Sequence, residues 1–191
     1  AFFCSSGSEA NDTTMKMVWY YQAARGKPEK RKIISRRRGY HGVTMAAASM
    51  TALAYAQNGF GLPLDFVKHT TTPDYYNEGR DGESEAEFTA RCAAELEALI
   101  IEEGPETVGA LFAEPVMGAG GVIVPPAGYF AAIREVLERH DVLLVADEVI
   151  CGFGRTGEMW GSQTMDVRPD MLTCAKALSS AYLPISAVLM L

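Results

Sequence analysis

Three apolar runs, each stopped by a charged side chain, constrain this chain more than any other feature. The middle one, Val142-Leu-Leu-Val-Ala146, ends at Asp147 and continues as Glu148-Val149. A short unbroken run of Leu, Val and Ala reads as a strand buried on both faces. Val108-Gly-Ala-Leu-Phe-Ala113 ends likewise at Glu114, and Met171-Leu-Thr-Cys-Ala175 ends at Lys176, 29 positions after Asp147. Between the first two runs, Pro125-Pro126 introduces a helix over Tyr129 to Arg139 with Phe130, Ile133, Val136 and Leu137 inward. Strand, loop, helix and strand in succession make the strands parallel. Open parallel sheets bind ligands at the carboxyl ends of their strands. Glu114, Asp147 and Lys176 are therefore expected along one edge, around a common site.

The rest of the chain repeats this alternation. Ala1–Cys4 and Ile185–Leu191 read as strands, as do Lys32–Ser35 and a short stretch near Phe66-Val67. Ser6 and Glu9 have capping-box spacing at the head of a helix that runs to about Ala24, before Gly26 and Pro28. Ser84 and Glu87 repeat the signal before a second long helix ended by Gly104-Pro105. Val43–Ala56, packed with Ala and Ser, is expected to be one helix. The fold class is α/β: three layers, a mostly parallel central sheet with helices on both faces.

Composition bounds the function. A formal charge of −7 with no basic face argues against nucleic-acid or anionic-membrane binding. No apolar run is long enough to span a bilayer. Cys4, Cys92, Cys151 and Cys174 form no C-x-x-C pair, so neither structural zinc nor a disulfide framework is expected. A reducing compartment fits, and the expectation is cytoplasmic with no metal. Because the chain begins and ends inside apolar runs, it is expected to be an internal piece of a longer protein.

Two local motifs admit a ligand but do not require one. The free amides at the first helix start, beside Ser6, Gly7 and Ser8, suit a phosphate or carboxylate, although a plain cap explains them equally. In Arg38-Gly-Tyr-His-Gly42, Tyr40 can lie against a planar ligand because flanking glycines allow close approach, although core packing would also account for it. An acid at Asp147 needs a hydrogen-bonding or cationic partner. Lys176, among small and apolar neighbours, is expected to be desolvated. The two could hold a carbonyl cofactor between them. Gly152-Phe-Gly154-Arg-Thr-Gly157 fits G-x-G-x-x-G, but no apolar-striped helix follows it and no acid closes a later strand, so a nicotinamide site is rejected.

Taken together, S-S-G-S-E-A-N-D, G-Y-H-G-V-T, E-P-V-M-G-A-G-G, A-D-E-V-I-C-G-F-G-R-T-G and A-K-A-L-S-S-A-Y-L-P-I, in this order, resemble the class III aminotransferases, pyridoxal-phosphate enzymes of fold type I. The resemblance implies that residues 1–191 are the central part of the cofactor-binding large domain, with N- and C-terminal parts of the enzyme missing. It implies that Lys176 is the Schiff-base lysine and moves the proton between substrate and cofactor, and that Asp147 keeps the pyridine nitrogen protonated. Ser6, Gly7 and Ser8 match the phosphate-binding turn, Tyr40 the stacking aromatic, and Val149 the aliphatic on the other ring face. His41 lies beside the cofactor with its role open. Glu114 matches an acid that orients neighbours, and Arg155 and Trp160 are read as structural.

Two positions depart from the family's 4-aminobutyrate and ornithine branches, which usually carry a Glu and a Gln where Ala119 and Ile150 stand. The resemblance therefore implies transamination from an amine or ω-amino acid donor to a keto acid such as pyruvate, in a homodimer or tetramer whose partner completes the site. Related aminomutases and dialkylglycine decarboxylases share the constellation, and an inactive fragment that only binds cofactor is the third reading.

Overall fold

The computed structural model describes residues 1–190. Seven strands form one sheet: β1 (Phe2–Cys4), β2 (Lys32–Arg36), β3 (Val67–Thr70), β4 (Val108–Ala113), β5 (Leu143–Asp147), β6 (Met171–Cys174) and β7 (Ser186–Met190). Their order is β1-β7-β6-β5-β4-β2-β3. Every pairing from β6 to β3 is parallel, while β7 runs antiparallel to both β6 and β1. Leu191, the last residue of the expected terminal strand, lies outside the described residues.

The helices are α1 (Gly7–Ala24), α2 (Met45–Met50), α3 (Ala54–Gln57), α4 (Tyr75–Glu78), α5 (Glu85–Glu103), α6 (Tyr129–Arg139) and α7 (Gly161–Thr164). They cover both faces of the sheet. The two-residue period of the strands explains how the unbroken apolar runs serve both layers. Leu111 and Leu144 face α5 and α6, packing with Phe88, Leu96, Ile133 and Leu137. Phe112 and Val145 point the other way, into a cluster with Met15 and Val18 of α1 and Met50 of α2.

Helix boundaries follow the capping chemistry. Ser84 and Glu87 form a full reciprocal box at the head of α5. At α1 the box is half-formed: Ser6 Oγ accepts from Glu9 N at 3.1 Å, but the Glu9 carboxylate accepts from Ser5 N instead. The expected helix over Val43–Ala56 is two pieces. The chain leaves helical geometry at Thr51, and Ala52 pairs in extended form with the loop above, donating to Gly39 O and accepting from Arg38 N. Thr51 Oγ1 strengthens the break by accepting from His41 N and Gly42 N. These contacts outweigh the helix propensity of the Ala-rich segment. After β5, residues Gly152–Gly157 pass through turns to the four-residue α7 rather than opening a long helix. No described helix is long and apolar enough to cross a membrane.

Candidate active site

Because β4, β5 and β6 are neighbours and parallel, Glu114, Asp147 and Lys176 emerge at the same edge of the sheet. A cavity of about 230 Å³ opens there, lined by all three. Gly7 and Ser8 from α1, Tyr40 and His41 from the loop after β2, and Val149 complete the wall with the apolar Ile150 and Ala175. Of the site residues expected from sequence, only Ser6 lies outside the lining. It is the N-cap of α1, and its carbonyl accepts from Ser186 Oγ, which ties the helix start to β7. A larger cleft of about 940 Å³ lies elsewhere, between Arg38, Tyr76 and Val122, and none of the expected site residues lines it.

Asp147 is the best-held group in the cavity. It is 3% exposed, and Oδ2 accepts from Asn11 Nδ2 and His41 Nδ1, both at 2.8 Å. Oδ1 accepts from Val149 N at 3.1 Å. These three donors offset the desolvation that a buried carboxylate suffers. A carboxylate has about four acceptor positions, so one remains, on Oδ1. His41 is itself buried, with Nε2 lacking a partner among the described residues.

Glu114, also buried, is an organiser. Its carboxylate accepts from Tyr40 N and Gly118 N, both at 3.0 Å, joining the Tyr40 loop to the loop after β4. Burial raises its carboxyl above the ordinary range, and the neighbouring Asp147 pushes in the same direction. Glu148, beside Asp147, points away from the cavity and accepts from Gly161 N and Ser162 N, pinning the far end of the Gly-rich turn. Arg155 is exposed, and Trp160 packs edge-on against Phe153 at 5.0 Å.

The opposite end of the cavity is a helix start. The amides of Gly7 and Ser8 have no acceptor among the described residues, as the first turn of a helix leaves them. They make an anion cradle favoured by the helix dipole. Close packing demands the local glycines. A Cβ on Gly7 would come within 3.1 Å of Val149, and one on Gly42, at φ +130°, would lie 2.4 Å from Ser8 Oγ.

Lys176 corrects one expectation. Its side chain is exposed, so this chain alone does not desolvate it. Its backbone is the more unusual feature. A φ of 42° places it in the left-handed region, at a cost of order 1–3 kcal/mol for a non-glycine residue. The turn thereby brings the lysine to the cavity rim directly after β6.

Two buried polar residues were missed by the sequence reading: Asn11 and Thr173. Asn11 lies one helical turn after Gly7, on a buried face it shares with Ala10, Thr14, Met15, Val18 and Gln22. The helical spacing that sets Asn11 with Met15 and Val18 on the inward face was the signal available, since a buried carboxamide must find partners.

Comparison with known proteins decides the family. The model of the aminotransferase class-III family matches residues 1–190. The chain belongs to the class-III aminotransferases. Gamma aminobutyrate transaminase 1, mitochondrial, from Solanum lycopersicum is 56% identical over 189 residues, covering 99% of this chain and 37% of that protein. A solved transaminase with L-ala is 59% identical with a TM-score of 0.97, over 99% of this chain and 44% of its own. The omega transaminase from Pseudomonas jessenii in complex with PMP is 56% identical, also with a TM-score of 0.97, over 99% and 42%. This class-III chain thus spans about two fifths of the length of such relatives.

Pyridoxal 5′-phosphate is the cofactor of class-III aminotransferases. The residues present fit it. Free amides at the start of α1 suit its phosphate, and the spare acceptor of Asp147 suits a protonated ring nitrogen. Tyr40 and Val149 offer flat and branched surfaces for the ring, and the amine of Lys176 meets the same cavity.

Proposed function

We propose that this chain is the central part of the cofactor-binding domain of a transaminase. It would move an amino group from an amine or ω-amino acid donor to a keto acid, with pyruvate as acceptor. The observation that carries the reading is the meeting of Asp147 and Lys176, from adjacent parallel strands, in one cavity whose other end is the amide-rich start of α1. When bound, pyridoxal phosphate supplies an aldehyde that captures amines and a ring that draws electrons from the substrate carbon.

The chain's own residues do the rest. The Gly7 and Ser8 amides bind the phosphate, fixing one end. Asp147 Oδ1 would hold a proton on the ring nitrogen, and the donors on Oδ2 keep that carboxylate correctly turned. Tyr40 and Val149 orient the ring. Glu114 holds the Tyr40 loop against the Gly118 loop rather than reacting itself. Lys176 would provide the amine that holds the cofactor's aldehyde and the base that moves the proton at the substrate carbon. A subunit that covers the exposed Lys176 would supply the missing desolvation, which supports a homodimer or higher assembly.

The acceptor assignment leans on the two departures noted above. Ile150 lines the cavity, and a Cβ on the neighbouring Gly118 would lie 2.5 Å from its Cδ1. Ala119 follows Gly118 outside the lining, so the reading leans on Ile150, an apolar wall residue where the resemblance places a Gln in the aminobutyrate and ornithine branches. Placement in the cytoplasm is one of several reducing compartments compatible with four unpaired cysteines.

The test is a single-turnover panel on the full-length protein. Amine donors should convert the bound cofactor and release the corresponding carbonyl product, and pyruvate should restore the starting spectrum. Release of carbon dioxide from the donor would assign a decarboxylase instead, and no spectral change with any donor would remove the activity.

A further inference from the structure

Asn11 sits at the centre of a buried relay that links four elements of the site. Its Nδ2 donates to His41 O at 2.7 Å and to Asp147 Oδ2 at 2.8 Å. Its Oδ1 accepts from Thr173 Oγ1 at 2.9 Å. Asn11 is 1% exposed and Thr173 0%. The orientation of the amide follows from these partners. Turned over, its oxygen would face a carbonyl and a carboxylate, both acceptors, and its NH₂ would displace the Thr173 proton. Thr173 lies on β6 directly opposite Asp147 in the ladder, so the hydroxyl that sets the amide comes from the strand that also delivers Lys176.

We propose that Asn11, set by Thr173, is a positioning residue for the ring nitrogen of the bound cofactor, an inference that rests on the function proposed above. The argument is one of lone pairs. Asn11 and His41 together occupy both acceptor positions of Oδ2, and Val149 N takes one on Oδ1. The carboxylate plane is then fixed, and its last lone pair is reserved for a ligand. Without Asn11, Oδ2 regains a free acceptor position and the carboxylate can rotate to share its charge between two directions. Asn11 also stands four residues from Gly7 on the same helix, a rise of about 6 Å. One rigid element therefore spaces the phosphate cradle from the carboxylate, matching the two ends of one ligand.

The test uses the full-length protein and two ligands, pyridoxal phosphate and its 1-deaza analogue, in which carbon replaces the ring nitrogen. Asn11→Ala should weaken binding of pyridoxal phosphate about tenfold or more, as expected for a disturbed hydrogen bond to a charged group, and shift the pH dependence of its visible band. The analogue should bind both proteins equally within about twofold, since it has no protonated nitrogen to address. Thr173→Val, close in volume, should show the same pattern at smaller size, and it carries the comparison should Asn11→Ala unfold the apoprotein. Equal losses for both ligands would make Asn11 a packing residue and overturn the proposal, as would no loss for either. A wild-type protein that binds neither ligand would remove the functional reading itself, a different outcome from wild-type binding with insensitive variants.

Discussion

Replacing Asp147 by Asn isolates the charge from the shape of the site. In the native arrangement Oδ2 accepts two donors at 2.8 Å and Oδ1 accepts one at 3.1 Å. Asparagine has one acceptor oxygen, which keeps the two bonds from Asn11 and His41 by taking the Oδ2 place. Its NH₂ then faces Val149 N, donor against donor, at a stability cost of about 1–3 kcal/mol for the unmet group. That is a modest fraction of a domain's stability, so the variant should fold. In the proposed site the same NH₂ would also face the cofactor's ring nitrogen, where it could not hold a proton. Binding should weaken about ten- to a hundredfold, from loss of one charge-assisted hydrogen bond. The chemical step should fall by about a hundredfold or more, because charge developing on the ring is no longer stabilised. Cofactor titration by visible absorbance gives the first quantity, and single-turnover reaction with an amine donor gives the second. Turnover of Asp147→Asn within a few-fold of wild type would refute the role given to this carboxylate.

Three further outcomes follow from the packing and the ionisation of this chain. Gly42→Ala forces a side chain at φ +130° against Ser8, and should cost about 1–3 kcal/mol in denaturant titrations while weakening cofactor binding through the displaced start of α1. Lys30 is 4% exposed, and its ammonium, with three N–H groups, sits among the carbonyls of Pro105, Val108, His140 and Asp141 at 2.9 to 3.0 Å. Lys30→Met should therefore destabilise by about 2–4 kcal/mol, with cofactor affinity preserved in the folded fraction. Burial pushes the Cys92 thiol up to about 12 and that of Cys151 up to about 11, so less than about one part in a hundred is thiolate at pH 8. Mass spectrometry after brief alkylation of the native protein should find both unmodified, with full labelling only in denaturant.

Much of the scaffold was legible because it is written locally. Unbroken Val, Leu and Ala runs marked β4, β5 and β6, and their charged terminators marked the edge where the cavity lies. The Ser84 box and the Pro125-Pro126 pair marked the starts of α5 and α6. What escaped is non-local. An apolar run does not say whether its strand runs parallel or antiparallel, so β7 was not distinguished from β6. Thr51 and Ala52 end α2 through bonds to residues 38–42, invisible to a helix-propensity reading. Asn11 and Thr173 look like ordinary helix and strand residues until the fold places them 2.9 Å apart across 162 positions of chain. Lys176 was expected to be dry from its neighbours in sequence, whereas its exposure is decided by what covers the sheet edge.

The central claim is that Lys176 and Asp147 share one cofactor. Borohydride reduction of the full-length, cofactor-loaded protein, followed by peptide mapping, addresses it most directly. The account predicts a single phosphopyridoxyl label on Lys176. A label on another lysine, such as Lys68, which pairs with Glu103 at 3.2 Å, or no label at all, would contradict it.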